Sequence, residues 1–174
     1  MDTGKVAKQV KQAGEFMLIK CDSGNLLLSG QFILSLSTEQ FWSVRCKLEV
    51  PELCKWYIQT KEGLFKSERA PGLEDWEKRY NDWLNFADPE KQLTNTLIEV
   101  QGCRLYTDGL SYVALKQERI GMMQYSEELL RSDNMIVIDG VHVIAPVADK
   151  IWQKNEWLRK LPGMHIAREA EEEK

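Results

Sequence analysis

Met135-Ile-Val-Ile-Asp-Gly-Val-His-Val-Ile144 is the stretch that decides the fold. Two apolar runs flank Asp139-Gly140, residues that tolerate the positive φ a tight hairpin turn demands. Met135 to Ile138 has no polar alternate, which predicts a strand covered on both faces. A sheet covered on both faces needs a further layer of helix or sheet on each side.

The same punctuation recurs on either side of this hairpin. Cys103–Thr107 and Leu110–Gln117 read as strands joined by Asp108-Gly109, and Gln101-Gly102 joins them to Thr96–Val100. Upstream, Phe16–Lys20, Leu26–Leu28 and Phe32–Leu36 are strands separated by the turn cluster Asp22-Ser23-Gly24-Asn25 and by Gly30. Trp42, Val44, Cys46, Leu48 and Val50 alternate with Ser43, Arg45, Lys47 and Glu49. That period of two predicts a half-buried strand with a basic outer face, ended by Pro51, with Cys46 as a buried thiol. Residues 53–60 fit a strand through Cys54, Trp56 and Ile58 or a helix through Leu53, Trp56 and Tyr57, and the strand is preferred.

Helical spacing appears in four places. Residues 2–13 put Val6, Val10 and Ala13 on one side and Lys5, Lys8 and Lys11 across from them. Leu73, Trp76, Tyr80, Trp83, Leu84 and Ala87 form one stripe over 73–87, with Phe86 off it. Asp88-Pro89 stops that helix, and Glu74, Asp75 and Glu77 suit the positive end of its dipole. A short helix capped by Ser126 is predicted through Arg131. Pro146 opens a last helix over 147–161, with Val147, Ile151, Leu158 and Leu161 inward, Trp157 at the stripe's edge and Trp152 outside it.

The expected architecture is therefore α+β: a mostly antiparallel sheet built from hairpins, packed with a central Trp-rich helix and a C-terminal helix. One domain over 15–167 is expected, preceded by an arm or short helix at 1–14 and followed by an acidic disordered tail at 168–174. At 174 residues, 43% hydrophobic and 29% charged, the chain is long enough to bury a core without metal or disulfide. Its four cysteines include no CxxC pair, so reduced thiols are expected. The first fourteen residues lack an apolar targeting core, and no run approaches the roughly 20 apolar residues of a membrane helix. These readings point to a cytoplasmic protein with no membrane, metal or cofactor requirement.

Function is less legible. The chain has no phosphate-binding glycine loop, no GxGxxG, no HExxH and no GxSxG. Its only histidines are His142 and His165. The reading favoured by the residues is a non-catalytic macromolecule-binding protein of inhibitor, immunity or adaptor type, with a protein partner. Its surface would combine off-stripe aromatics with an acidic helix face. Trp152 and Phe86 supply the aromatics, and Asp75 and Asp82 the acid. Met122, Met123 and Tyr125 form an adaptable apolar loop. Over 74–90 six acidic residues face two basic ones, a one-signed surface that steers a basic partner.

Two alternatives remain. A basic sheet face of Arg45, Lys47 and Lys55 with Tyr57 for stacking would suit nucleic acid. Six basic residues against four acidic over 41–69, and a net charge of −4, weaken that reading. A small enzyme would use His142 as a general base oriented by Asp139 across the turn.

Overall fold

The computed structural model describes residues 1–70, 72–123, 128–147 and 157–158. In chain order they form α1 (Thr3–Ala13), β1 (Glu15–Cys21), β2 (Gly24–Ser29), β3 (Phe32–Leu36), α2 (Thr38–Leu48), β4 (Trp56–Gln59) and β5 (Leu64–Lys66). There follow α3 (Leu73–Asn85), β6 (Asp88–Gln92), β7 (Thr94–Val100), β8 (Cys103–Thr107), β9 (Tyr112–Lys116), α4 (Gln117–Ile120), β10 (Leu129–Ser132), β11 (Met135–Ile138) and β12 (His142–Ile144). The fold is α+β, as expected, with two antiparallel sheets. Nine strands run β5-β4-β1-β2-β3-β12-β11-β10-β6, and β7-β8-β9 form a smaller sheet.

The large sheet is covered on both faces, and the alternation of its strands sorts side chains between two cores. Phe16, Leu18, Leu27, Phe32, Leu34, Tyr57, Ile136 and Ile138 point to α1, α2 and the inner face of the small sheet. Met17, Ile19, Leu26, Leu28, Ile33, Trp56, Val137 and Val143 point to α3. Both sets are apolar, which is why β11 shows no polar alternate. The tryptophan helix is thus a core ridge. Tyr80 is buried, and Leu73, Trp76, Trp83, Leu84 and Ala87 pack half-buried beside it. The outer face of the small sheet, with Cys103, Leu105 and Ala114, is closed by Val147 and Leu158.

The hairpins are built as their turn residues demand. Asp139 and Gly140 hold φ of 51° and 67°, and Gln101 and Gly102 hold 51° and 74°. These are the paired left-handed conformations of a type I′ turn. The β8–β9 connection is longer than the predicted two-residue turn. Thr107 pairs with Tyr112, and residues 108–111 form a loop whose Asp108 carboxylate accepts from the Leu110 and Ser111 amides at 3.0 and 2.8 Å.

Strands β5 and β6 and the short α4 have no counterpart in the sequence reading, and two further segments take a different secondary structure from that expected. The segment 42–50 is not a strand: α2 covers Thr38–Leu48. Ser37 and Gln40 form a capping box, each side chain bonded to the other's backbone amide, which satisfies two orphan donors of the first turn. The buried stripe is Phe41, Val44 and Leu48, at helical spacing. Cys46 is exposed, and Trp42, expected inside, is 41% exposed. The helix predicted to run from Ser126 to Arg131 is also replaced where it is described. Leu129–Ser132 is a strand, held by pairing of Arg131 with Ile136 and Ser132 with Met135. Most of the predicted C-terminal helix and all of the tail lie outside the described residues. Within it Leu158 is fully buried and Trp157 half exposed, as the stripe implied.

The residues predicted to form an N-terminal arm or short helix form α1, which packs into the main body. The Asp2 carboxylate caps α1 by accepting from the Gly4 and Lys5 amides. Val6 and Val10 are fully buried in the core shared with α2 and the large sheet. Among the described residues no helix is long and apolar enough to cross a membrane.

Candidate functional site

At the β5 end of the large sheet, on the α3 side, two tryptophans form a floor. Trp56 is placed by β4 and is buried, and Trp76 is placed by the first turns of α3. Their ring centroids are 5.7 Å apart, with planes at 58°. The chain between β5 and α3 folds back over them. The Ser67 amide donates to the Trp56 carbonyl at 2.8 Å, which carries Arg69 across the indole. Its guanidinium lies 4.3 Å from the Trp56 centroid and 5.7 Å from that of Trp76. Arg79, one turn further along α3, lies 5.8 Å from the Trp76 centroid. Each such stack contributes about 0.5–1 kcal/mol at an exposed site and fixes where the cation sits.

Glu15, at the start of β1, completes the frame. Its carboxylate accepts from the Ser67 hydroxyl at 2.6 Å and from Arg69 at 3.2 Å. The hydroxyl, then the guanidinium, hold its pKa below the ordinary glutamate value. Arg79 has no carboxylate within 4.0 Å among the described residues. Arg69, Ala70, Gly72, Asp75, Trp76 and Arg79 enclose a cavity of about 180 Å³. Gly72 lies in left-handed backbone at φ +57°, where a side chain would be strained.

Two exposed apolar side chains lie on the sheet face that carries Trp56. Ile58 and Phe65 are cross-strand partners on β4 and β5, 36% and 51% exposed. Ile58 follows Trp56 by two residues and so shares its face. β5 is the last strand of the sheet, so among the described residues one edge of its backbone carries no ladder. An exposed apolar pair, two guanidiniums held on indole faces and two carboxylates, Glu15 and Asp75, therefore lie at one corner.

The site residues expected from sequence are dispersed. Asp75 lines the cavity. Asp82 is half-buried on the same helix, and Phe86, at its C-terminal cap, is 72% exposed. Met122 and Met123 do not form a surface loop. They are 0% and 6% exposed, because they pack into the core beneath α1. Trp152 and Tyr125 lie outside the described residues. The acidic face is partly used internally, since Glu77 accepts from the amide and hydroxyl of Ser23 at 2.9 and 2.8 Å, pinning the β1–β2 turn.

The basic sheet face does not form. Arg45 and Lys47 are on α2, on the opposite side of the sheet from α3. Arg45 donates to the carbonyls of Val50 and Pro51, and Lys47 to the Thr3 hydroxyl. Tyr57 is buried, its hydroxyl accepting from the Glu52 amide, and Lys55 is half-buried.

His142 has a backbone role. Its Nδ1 accepts from the Ser35 amide at 3.2 Å, continuing the ladder where β12 ends beside β3. Asp139 accepts from the Glu128 amide. Burial, opposed in part by the Asp139 carboxylate, pushes the imidazole's pKa down to about 4. The unfolded chain takes up that proton near 6.5, so it binds more protons than the folded state below that pH. Stability is expected to fall as pH drops from 6.5 to 4. His142→Gln should flatten this part of the profile, measured as the urea midpoint against pH. An unchanged slope would show that the imidazole is not held neutral.

No three His, Cys, Asp or Glu side chains converge as a metal-holding group among the described residues. The Cys21 thiol, half-buried near Glu77, has its pKa pushed up to about 11, first by burial and then by that carboxylate, which disfavours a thiolate nucleophile. Comparison with known proteins finds no matching family model, curated protein or solved structure.

Sequence reasoning missed Trp56, Arg69, Ile58 and Phe65 as site residues. The alternation of Trp56 and Ile58, then Phe65 across Gly63, marks one face of a hairpin. The placement of Arg69 over two indoles is a tertiary contact with no local pattern.

Proposed function

We propose that this chain is a non-catalytic protein-binding module that captures a partner at the Trp56–Trp76 corner. An acidic side chain of the partner would enter between Arg69 and Arg79, and its neighbouring apolar residues would cover Ile58 and Phe65. The observation that carries this reading is Arg79, stacked on Trp76 with no carboxylate within 4.0 Å among the described residues, at the end of the sheet that also exposes Ile58 and Phe65. Guanidiniums held in place lose little entropy on binding and match a carboxylate in bidentate fashion. Tryptophan and arginine at the centre of an apolar patch are also the residues that dominate interface energetics. Such a module acts by occupancy, as an inhibitor or adaptor does. A nucleic-acid reading is less favoured, because the cations are divided between the two faces of the sheet and a phosphate backbone needs them along one track.

The test uses short peptides that pair a glutamate with neighbouring valine, isoleucine or phenylalanine. Amide NMR shifts should cluster on residues 56–79, and Arg79→Glu should abolish them while leaving stability by urea unfolding within about 0.5 kcal/mol, as for other surface substitutions. Shifts spread over the whole surface, or peptides bound equally by Arg79→Glu, would defeat the reading.

A further inference from the structure

A second concavity lies on the opposite side of the large sheet, between α1 and α4. Lys5, Lys8, Gln9, Gln117, Glu118 and Gly121 enclose about 320 Å³. That is within the size range of small-molecule sites, which begins near 300 Å³. A second chamber of about 200 Å³, lined by Arg104, Tyr106, Gln117, Ile120 and Gly121, shares Gln117 and Gly121 with it. A Cβ on Gly121 would come within 3.1 Å of the Gln117 carbonyl oxygen, so glycine keeps the shared wall free of a side chain.

The charge around α4 is unbalanced. Lys5 and Lys8 are spaced i, i+3 and so present both ammoniums on one face of α1. Neither has a carboxylate within 4.0 Å among the described residues. Arg119, inside α4, is only 5% exposed. Its guanidinium donates to the Ala145 carbonyl and to Gln31, its Nε has no partner, and no carboxylate lies within 4.0 Å among the described residues. A buried guanidinium stays charged, and its field is weakly screened. Three acids oppose these cations, and the first is Asp2 at the N-cap of α1, whose carboxylate acts on Lys5. Glu118 is tied to the amide of the buried Gln9 at 3.0 Å, and in the second chamber Glu99 is paired with Arg104.

We propose that this cleft binds a small phosphate-bearing molecule, with the phosphate between Lys5 and Lys8 and the remainder against Gln117, Tyr106 and Ile120. A phosphate monoester carries about −1.5 to −2 at neutral pH, enough to answer both ammoniums at once. Ammoniums bind phosphate as point charges and need no fixed fork. Gln117, whose amide faces the Glu99 carboxylate, lines the junction of the chambers, and Tyr106 and Ile120 form an apolar wall.

Titration calorimetry of the full chain with inorganic phosphate and with adenosine monophosphate tests the assignment. The nucleotide should bind more tightly than phosphate, because only it fills the second chamber. Lys5→Ala with Lys8→Ala removes both charge-assisted hydrogen bonds to the phosphate. That variant should weaken nucleotide binding by at least about tenfold without shifting the unfolding midpoint. Glu118→Gln keeps an acceptor for Gln9 and removes the opposing charge, so it should tighten binding. Undiminished affinity in the double lysine variant, equal affinity for the two probes, or no heat from either at about 10 mM, weaker than the millimolar regime of minimal binding, would each overturn the proposal.

Discussion

Trp56→Ala is expected to destabilise the fold by about 3–5 kcal/mol, the range for emptying a core site of an aromatic ring. Trp56 is 1% exposed and is the largest fully buried side chain among the described residues. It lies between β4 and α3, against Trp76 and within the cluster of Met17, Ile19 and Leu28. Removing the indole leaves a cavity that the surrounding strands, fixed by ladders on both sides of β1, cannot collapse to fill. Arg69 would lose the ring it lies on, so the same change should loosen the Trp56–Trp76 corner. Trp76→Ala, at a half-buried position, should cost less. Urea unfolding with an unchanged m-value measures both. A loss below about 1.5 kcal/mol at Trp56 would be too small for a buried aromatic.

Val44→Asp should cost about 4 kcal/mol or more, because it places an ionisable group where nothing can pair with it. Val44 is 0% exposed between α2 and the large sheet. Cys46→Asp should cost at most about 1 kcal/mol, the penalty for a carboxylate near the negative end of a helix. Cys46 is exposed two residues along the same helix. The contrast is diagnostic, because a strand through 42–50 would bury both positions alike. Comparable losses at the two sites, by thermal unfolding, would contradict α2.

That segment also shows where sequence patterning runs out. Trp42, Val44, Cys46, Leu48 and Val50 satisfy a period of two, while Phe41, Val44 and Leu48 satisfy a helical one. Periodicity over so few residues cannot separate them. The discriminating signal was local: Ser37 followed three residues later by Gln40 is the pattern of a capping box. Likewise Ser132-Asp133-Asn134 carries turn chemistry that favours a hairpin over a helix reaching Arg131, and Asp133 takes a φ of 51°. Where turn residues and apolar runs agreed, as at Met135–Ile144, strand, pairing and two-sided burial were all legible. The Trp56–Trp76 corner was not, because it joins Glu15, Trp56, Arg69 and Arg79 from four separated segments. Asp75 alone among its residues stood out in the chain, through charge.

The two ends of the large sheet are unlike. β6 begins Asp88-Pro89-Glu90-Lys91, a run with a proline that has no amide to donate and with charges held as an Asp88–Lys91 pair. Such an edge offers an incoming strand little to pair with. β5 has no proline and shows Phe65 to solvent, though it is only three residues long and its Lys66 is paired with Glu52. Extension of the large sheet by strand addition is therefore opposed more strongly at β6 than at β5. Two copies joined edge to edge through β5 would turn the proline-bearing β6 edges outward, so continued growth of this one sheet would meet a blunt strand at each end.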